Sequence, residues 1–225
     1  MAAEPNRNRR ERPAKPALSR QGIVAAAVGL VGTEGLKRVT MRRLAEALDT
    51  APASLYVYVR NTAELHAAVL DDLLGSVDLA PVQADGDWRD RLVEVLTSYL
   101  RVLFEHPGLA ASALVARPSG PHYLDLVEAL LALLVEGGVP AGQAAWGIDL
   151  LLQTTTATAA EHADGESEED WQALAAAVRD ASPDTHPHVA ALGADLLSGP
   201  PEARLTWGLH MLINGIAHTA RPHTP

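Results

Sequence analysis

Residues 40–48 read TMRRLAEAL and residues 54–61 read SLYVYVRN, and these two stretches decide the fold. The first predicts a short helix with a buried residue every three or four positions. Asp49-Thr50 breaks that helix, and Pro52 fits the first turn of the next one, where an N–H has no intrahelical partner. Two short helices joined by a tight turn predict a helix-turn-helix, whose later helix enters the major groove of DNA. Helical hairpins are common, so this spacing alone is a weak signal.

Further helices are predicted on both sides of this pair. Ser19 is predicted to cap a longer helix that ends at Gly35, and NTAE at residues 61–64 has the form of a capping box that opens another helix. Residues 19–75 are therefore predicted to form a helical head. Residues 1–18 are basic, contain several prolines and have no apolar period, so they predict a disordered basic arm that either contacts DNA or only adds charge.

Positive charge is concentrated at one end of the chain. The 225 residues include 18 Lys+Arg and 28 Asp+Glu, for a net charge of -10. Residues 1–65 contain 11 of the basic and 6 of the acidic residues. One end can therefore approach a polyanion while the other repels it, which favours a DNA-binding head on an acidic body. General acidity of an Ala-rich chain is the alternative.

The composition excludes several classes of protein. There is no cysteine, which excludes zinc fingers and cysteine catalysis. The charge-free stretch Leu205–Ala220 is too short to span a membrane, and residues 1–20 lack the apolar region of a secretory signal. The chain has no glycine-rich phosphate loop, no H-E-x-x-H and no G-x-S-x-G. We expect a cytoplasmic protein that is not an enzyme and uses no cofactor.

The stretches quoted first, together with Glu64-Leu65, closely resemble the DNA-binding domain of the tetracycline-repressor (TetR) family. The resemblance covers about residues 19–74 and implies a helix-turn-helix head with a divergent helical effector domain. It also implies that Ser54, Leu55, Val57 and Tyr58 lie on the groove face, that Tyr56 lies near a phosphate, and that Leu44, Leu48 and Val59 face the packing side. The DNA-binding residues predicted in this way and from side-chain chemistry are Thr40, Arg42, Arg43, Ser54, Leu55, Tyr56, Val57, Tyr58, Arg60 and Thr62.

Several of these residues have alternative interpretations. The arginines of the set can neutralise phosphates, but Arg43 and Arg60 can equally lie on a solvated face. Tyr56 and Tyr58 can pack in the core instead of contacting DNA, and Tyr58 is the one favoured for DNA. Thr62 stands where the family often has a lysine, so the phosphate contact expected there loses its charge.

After a connection at residues 76–86, residues 87–221 are predicted to form a larger helical domain. Its six predicted helices lie at about residues 88–105, 109–116, 122–136, 142–163, 168–180 and 202–220. No stretch of this domain alternates apolar and polar residues for long enough to be a strand. The predicted fold is therefore all-α, with a three-helix DNA-binding head and a larger helical effector-binding and dimerisation domain.

The segment Leu205–Ala217 is apolar nearly all the way round, which predicts burial on every side. With Trp146 and its neighbours on the preceding long helix, it is the candidate for a four-helix bundle in a homodimer, where the TetR resemblance also implies the interface. The alternative is the internal core of a monomer. The dimer would bind a two-fold related operator in double-stranded DNA. A charge at Leu209 or Ile213 is expected to break this dimer.

Residues 153–158 read QTTTAT, a polar insertion among leucines that can line a mostly apolar cavity for a small molecule. The predicted effector-binding residues are Phe104, His106, Leu109, His122, Tyr123, Leu126, Trp146, Gln153, Thr154 and Thr158. A Thr-rich helix can equally bond to its own carbonyls. His186 and His188, in a predicted proline-rich loop with Asp184, lack a third ligand, so no metal site is predicted.

These observations favour a ligand-responsive DNA-binding transcriptional regulator. We expect a repressor that leaves its operator when a small, largely apolar effector stabilises a body conformation that spaces the two heads wrongly. The alternatives are a ligand-independent dimeric DNA-binding protein and a helical enzyme or carrier.

Overall fold

A computed structural model describes residues 17–106, 108–115, 118–162 and 168–222, and these ranges contain helices and loops but no strand. The predicted basic arm lies almost entirely outside the described residues. The α-helices are α1 (Arg20–Glu34), α2 (Met41–Ala47), α3 (Pro52–Leu55), α4 (Thr62–Leu74), α5 (Trp88–Glu105), α6 (Leu109–Val115), α7 (Pro121–Glu136), α8 (Ala141–His162), α9 (Glu168–Arg179), α10 (Pro187–Leu196) and α11 (Pro201–His218). Short 3-10 helices at Leu36–Arg38 and Ala80–Gln83 lie in two of the connections.

Local signals start and end the helices of the head. The Ser19 hydroxyl accepts a hydrogen bond from the Gly22 N–H at 3.1 Å, and the Asn61 side chain accepts one from the Glu64 N–H at 2.8 Å. Both caps were predicted from the sequence. Gly35 closes α1 with φ 78°, a backbone conformation that glycine adopts far more easily than other residues.

The turn of the helix-turn-helix depends on Asp49, which has φ 48° in the left-handed region. The Thr50 N–H then donates to the Ala45 carbonyl at 2.9 Å, a bond typical of a helix that ends through a left-handed residue. α3 is a single turn followed by turn residues 56–58, so the recognition helix is shorter than expected. Leu44 and Val59 are buried, as the packing-side prediction requires.

The body packs α5, α7, α8 and α11 around a shared apolar core. α8 and α11 approach closely at Gly147, where a Cβ atom would lie 2.6 Å from the Ile216 side chain. The core continues from the body into the head, because α4 packs against α6 and α7. The described residues contain no helix with the length and apolar character of a membrane span.

One helix of the body was not predicted. Pro187–Leu196 forms α10, where the sequence indicated a proline-rich loop. α10 packs mainly against α9, and none of its residues is buried. Pro187 occupies the first turn of α10, where the missing N–H has no intrahelical partner, so this proline starts a helix instead of marking a loop.

Candidate nucleic-acid interface and effector cavities

The recognition segment, residues 52–58, exposes two large side chains at its end. Val57 is 80% exposed and Tyr56 is 52% exposed. Leu55 has no exposed surface, so the prediction that it lies on the groove face is wrong. Its position on a one-turn helix directs the leucine into the core of the head, where α2 packs against α3.

The two tyrosines of the recognition segment differ in exposure. Tyr58 is half-buried and packs against the core, whereas Tyr56 projects outward. Tyr56 is therefore the more accessible of the two, while the preference for Tyr58 as the DNA contact stays a prediction. Ser54, also in the predicted set, is half-buried.

Thr40 and Arg42 lie at the start of α2, but they have different local roles. The Thr40 hydroxyl caps the helix by accepting a hydrogen bond from the Arg43 N–H at 3.2 Å. Arg42 has its side chain 87% exposed, with Nε 3.2 Å from a Glu46 carboxylate oxygen. An exposed pair of this kind contributes little, so the Arg42 guanidinium can exchange its carboxylate for a phosphate.

Arg43 joins α2 to the end of α1. Its Nε donates to both carboxylate oxygens of Glu34, each at 3.0 Å. This hydrogen bond is the main cause that lowers the pKa of Glu34 below its ordinary value, with burial acting in the opposite direction. Arg43 therefore holds two helices of the head together, a role that neither the phosphate-binding nor the solvated-face interpretation included.

A similar pair stands before α4. The Glu64 carboxylate accepts hydrogen bonds from the Arg60 N–H and from its Nε, both at 2.9 Å. These two bonds lower the pKa of Glu64, the backbone bond contributing most. Thr62 is the first residue of α4 and is half-buried.

Lys37 and Arg38 are two cations that sequence reasoning left out. Both side chains are exposed on the 3-10 helix between α1 and α2. They line the same concave surface as Thr40 and Arg42. The adjacent basic residues ahead of Thr40 were a visible signal, but they lie outside the two helices of the motif.

The predicted effector-binding residues do not line one cavity. Leu109 and Leu126 are fully buried in the core, and Trp146 is exposed on the outer face of α8, with the Arg221 guanidinium 4.7 Å from the centre of its ring. Phe104 is also exposed, and its ring meets that of His162 edge-on, with centroids 6.3 Å apart. Helical periodicity predicts which residues share a helix face, but it does not tell which face encloses space.

The remaining predicted effector residues divide between two sites and the ends of helices. Thr154 and Thr158 line a groove of about 1060 Å³ among α8, α9 and α11. Tyr123 and Gln153 line a smaller cavity of about 120 Å³ on another face of α8. His106 ends α5, and His122, at the start of α7, contacts α4 instead of a cavity.

The smaller cavity also reaches the head, because Leu70 of α4 is part of its wall. Tyr99 and Thr156 line it too and share a hydrogen bond of 2.7 Å between their hydroxyls. Burial raises the pKa of Tyr99, so this hydroxyl stays protonated. The hydroxyls of Thr156 and Thr158 are also bonded to carbonyls of their own helix, which was the alternative weighed for the Thr-rich segment.

The proposed bundle helices expose large apolar side chains on one side. Trp207 and Met211 of α11 are 68% and 50% exposed, and Leu150 of α8 is also exposed. Leu209 and Ile213 are buried within the chain itself. The single chain therefore does not bury α11 on every side, and charges at Leu209 or Ile213 would disrupt the body before they tested an interface.

Potential metal ligands are not clustered in the part of the chain that the structure describes. No group of three His, Asp or Glu side chains there has a metal-binding arrangement. His186 stands just before α10 and bonds to the Thr185 hydroxyl at 2.9 Å, while His188 lies in the first turn of that helix.

Two family models match most of the chain. Residues 23–69 match the bacterial regulatory proteins of the tetR family, and residues 80–220 match the Tetracyclin repressor-like, C-terminal domain. A helix-turn-helix transcriptional regulator of Saccharopolyspora erythraea is 36% identical over 124 residues, which are 55% of this chain and 52% of that relative. The chain thus spans about half the length of the first curated relatives it matches.

Solved structures are similar over nearly the whole chain. A transcription regulator of Streptomyces coelicolor is 56% identical, with a TM-score of 0.79 over 94% of this chain and 100% of that one. ActR of Streptomyces coelicolor, solved with actinorhodin, is 31% identical, with a TM-score of 0.78 over 89% of this chain and 97% of that one. These relatives are transcriptional regulators, which removes the basis for the enzyme or carrier alternative. The chain belongs to the TetR family of transcriptional regulators.

Proposed function

We propose that this protein is a cytoplasmic repressor that binds double-stranded DNA as a homodimer and leaves its operator when a small molecule enters the body. The observation that carries the proposal is the exposure of Val57 and Tyr56 on a head whose other large apolar side chains are buried or half-buried. Residues 19–75 would bind DNA, and residues 87–221 would bind the effector and the partner subunit.

The DNA surface consists of the exposed end of the recognition segment and the basic start of α2. Val57 offers a methyl surface to a thymine, and Tyr56 and Arg42 reach outward on the same head. We also propose contacts at residues that form caps or ion pairs or pack against the head, namely Thr40, Ser54, Tyr58, Arg60 and Thr62. These residues would bind phosphate or hold the DNA-binding surface in place.

The outer face of α8 and α11 supports the proposed homodimer. Trp146, Leu150, Trp207 and Met211 are exposed there in the single chain. A patch of such large apolar side chains marks an interface. A two-fold dimer presents two recognition segments, so we propose that the operator has two related half-sites.

We place the effector in the smaller cavity, which we expect to widen around it. A ligand there contacts Leu70 of α4 and Tyr123 of α7 together, and so touches both the head and the body. The larger groove beside Thr154 and Thr158 is the alternative, because its volume already suits a drug-sized molecule.

Selection from a random-sequence duplex library tests the DNA-binding proposal without a known operator. We expect the protein to enrich a two-fold related sequence, and its affinity for that selected duplex to fall steeply with added salt. R42A and Y56A should each weaken binding by about 1–3 kcal/mol, whereas R179A on α9 should not. No enrichment, or unchanged affinity in both head variants, would contradict the proposal.

Thermal-shift screening tests the effector site, with actinorhodin as the first compound and other apolar and aromatic molecules after it. A compound that binds the folded protein raises the melting temperature. For such a compound, Q153L should reduce both the shift and the release from the selected duplex, while T158L should not. The opposite pattern would move the effector to the groove, and a screen without any shift would leave the protein a ligand-independent regulator.

A further inference from the structure

A polar joint connects the head to the body where α4 meets the first turn of α7. Asp71 of α4 is 8% exposed although it carries a carboxylate. One carboxylate oxygen accepts a hydrogen bond from the Tyr123 N–H at 3.0 Å. His122 Nδ1 lies 3.0 Å from the Asp71 carbonyl oxygen and 3.5 Å from the other carboxylate oxygen.

Asp71 supplies a cap that α7 does not have in its own sequence. α7 begins after Gly120, which has no side chain to accept a hydrogen bond, and its first residue is Pro121. The Tyr123 N–H is among the first N–H groups of a helix, which have no intrahelical partner. Asp71 therefore serves, from another helix, as the oxygen acceptor that an N-cap side chain normally provides, and its charge suits the positive end of α7.

Gly120 packs directly against the Asp71 carboxylate. A Cβ atom at Gly120 would lie 2.1–2.5 Å from the three atoms of the Asp71 carboxyl group. The φ of Gly120 is -86°, which any residue can adopt, so the backbone conformation does not require glycine there. Close packing against Asp71 does require it.

We propose that Asp71 is a positioning residue for operator binding, because its cap on α7 fixes the angle of the head on the body. In a dimer, that angle sets the spacing of the two recognition segments. This inference rests on the proposed function. Leu70, which precedes Asp71, and Tyr123, its hydrogen-bond partner, both line the smaller cavity. An effector in that cavity therefore contacts both sides of this joint.

The test compares variants on two DNA probes, the two-fold duplex obtained by selection and a duplex that carries one half-site. D71A should lower affinity for the two-fold duplex on the order of tenfold, because the population with correctly spaced heads falls. Affinity for the half-site should not change, since each head keeps its DNA surface. D71N keeps an acceptor oxygen and should stay close to wild type, as should D72A, which changes an exposed neighbour on α4.

G120A provides a second, independent way to displace the carboxylate. It should reproduce the effect of D71A, and the double variant should be no weaker than either single variant, because the two changes break the same contact. Unchanged affinity of D71A for the two-fold duplex, an equal loss on both probes, or additive effects in the double variant would each overturn the inference. Failure of the wild type to bind the selected duplex would instead overturn the proposed function.

Discussion

The head and the body differ in how many large apolar side chains they leave exposed. Among the described residues of the head, the large exposed apolar side chains are Val57 and Tyr56 of the recognition segment. The body leaves Trp207, Met211 and Leu150 exposed along its bundle helices. The head therefore exposes a small apolar surface, although its core continues into the body through α4, whereas the body exposes an apolar face that we propose a partner subunit covers.

The largest effect should come from a charge placed inside the body. I213D puts a carboxylate at a fully buried position of α11, and an uncompensated buried charge costs about 3–5 kcal/mol of unfolding free energy. M211E changes an exposed residue two positions away. This variant should stay folded, with the helix content of the wild type, but should be a monomer. Circular dichroism and light scattering measure both results. A folded dimer in M211E would refute the proposed interface.

The fold of the head was predictable because its determinants are local in sequence. Ser19, Gly35 and the capping box at Asn61 fixed three helix ends, and the structure confirms each of them. Leu55 was the error, because a single helical turn does not show in the sequence which side faces the core. Only the packing of α3 against α2 decides that point.

A paired test on the recognition segment separates its two faces. L55A removes a fully buried side chain and should cost about 2–5 kcal/mol of unfolding free energy. V57A changes an 80% exposed side chain and should leave stability unchanged while weakening binding to the selected duplex. Chemical denaturation and fluorescence anisotropy measure these effects. Equal stability losses in the two variants would mean that the segment does not present Val57 to DNA.

The effector site was less predictable than the head because a cavity is made by several distant helices. Gln153 and Thr154 are adjacent in sequence, yet they line different spaces on α8. The joint at Asp71 was equally hidden, since it joins residues about fifty positions apart and its partner is a backbone N–H. α10 escaped prediction for a different reason, because Pro187 fits the first turn of a helix as well as it fits a loop.

A smaller effect should come from the left-handed backbone at Gly35, which ends α1. G35A places a side chain at φ 78° and ψ 155°, a region almost restricted to glycine, and should cost about 1–3 kcal/mol although no atom blocks the new methyl group. Denaturant titration measures this loss, and unchanged stability in G35A would contradict the backbone strain assigned to this helix end.

The smallest effect concerns the ion pair between Glu34 and Arg43, which holds α1 to α2. The hydrogen bond from Arg43 lowers the pKa of Glu34 in the folded protein, so the unfolded chain binds this proton at a higher pH than the folded chain. The stabilisation is therefore complete above the ordinary glutamate pKa of about 4.3 and is lost as the pH falls through the lower folded value. E34Q keeps the shape of the side chain but cannot titrate, so its unfolding free energy should fall less steeply than that of the wild type as the pH is lowered below about 4.3. Denaturant titrations at several pH values measure the two slopes, with E46Q on the exposed Arg42 pair as the matched control. Parallel slopes for E34Q and the wild type would show that this pair does not contribute to the stability of the head.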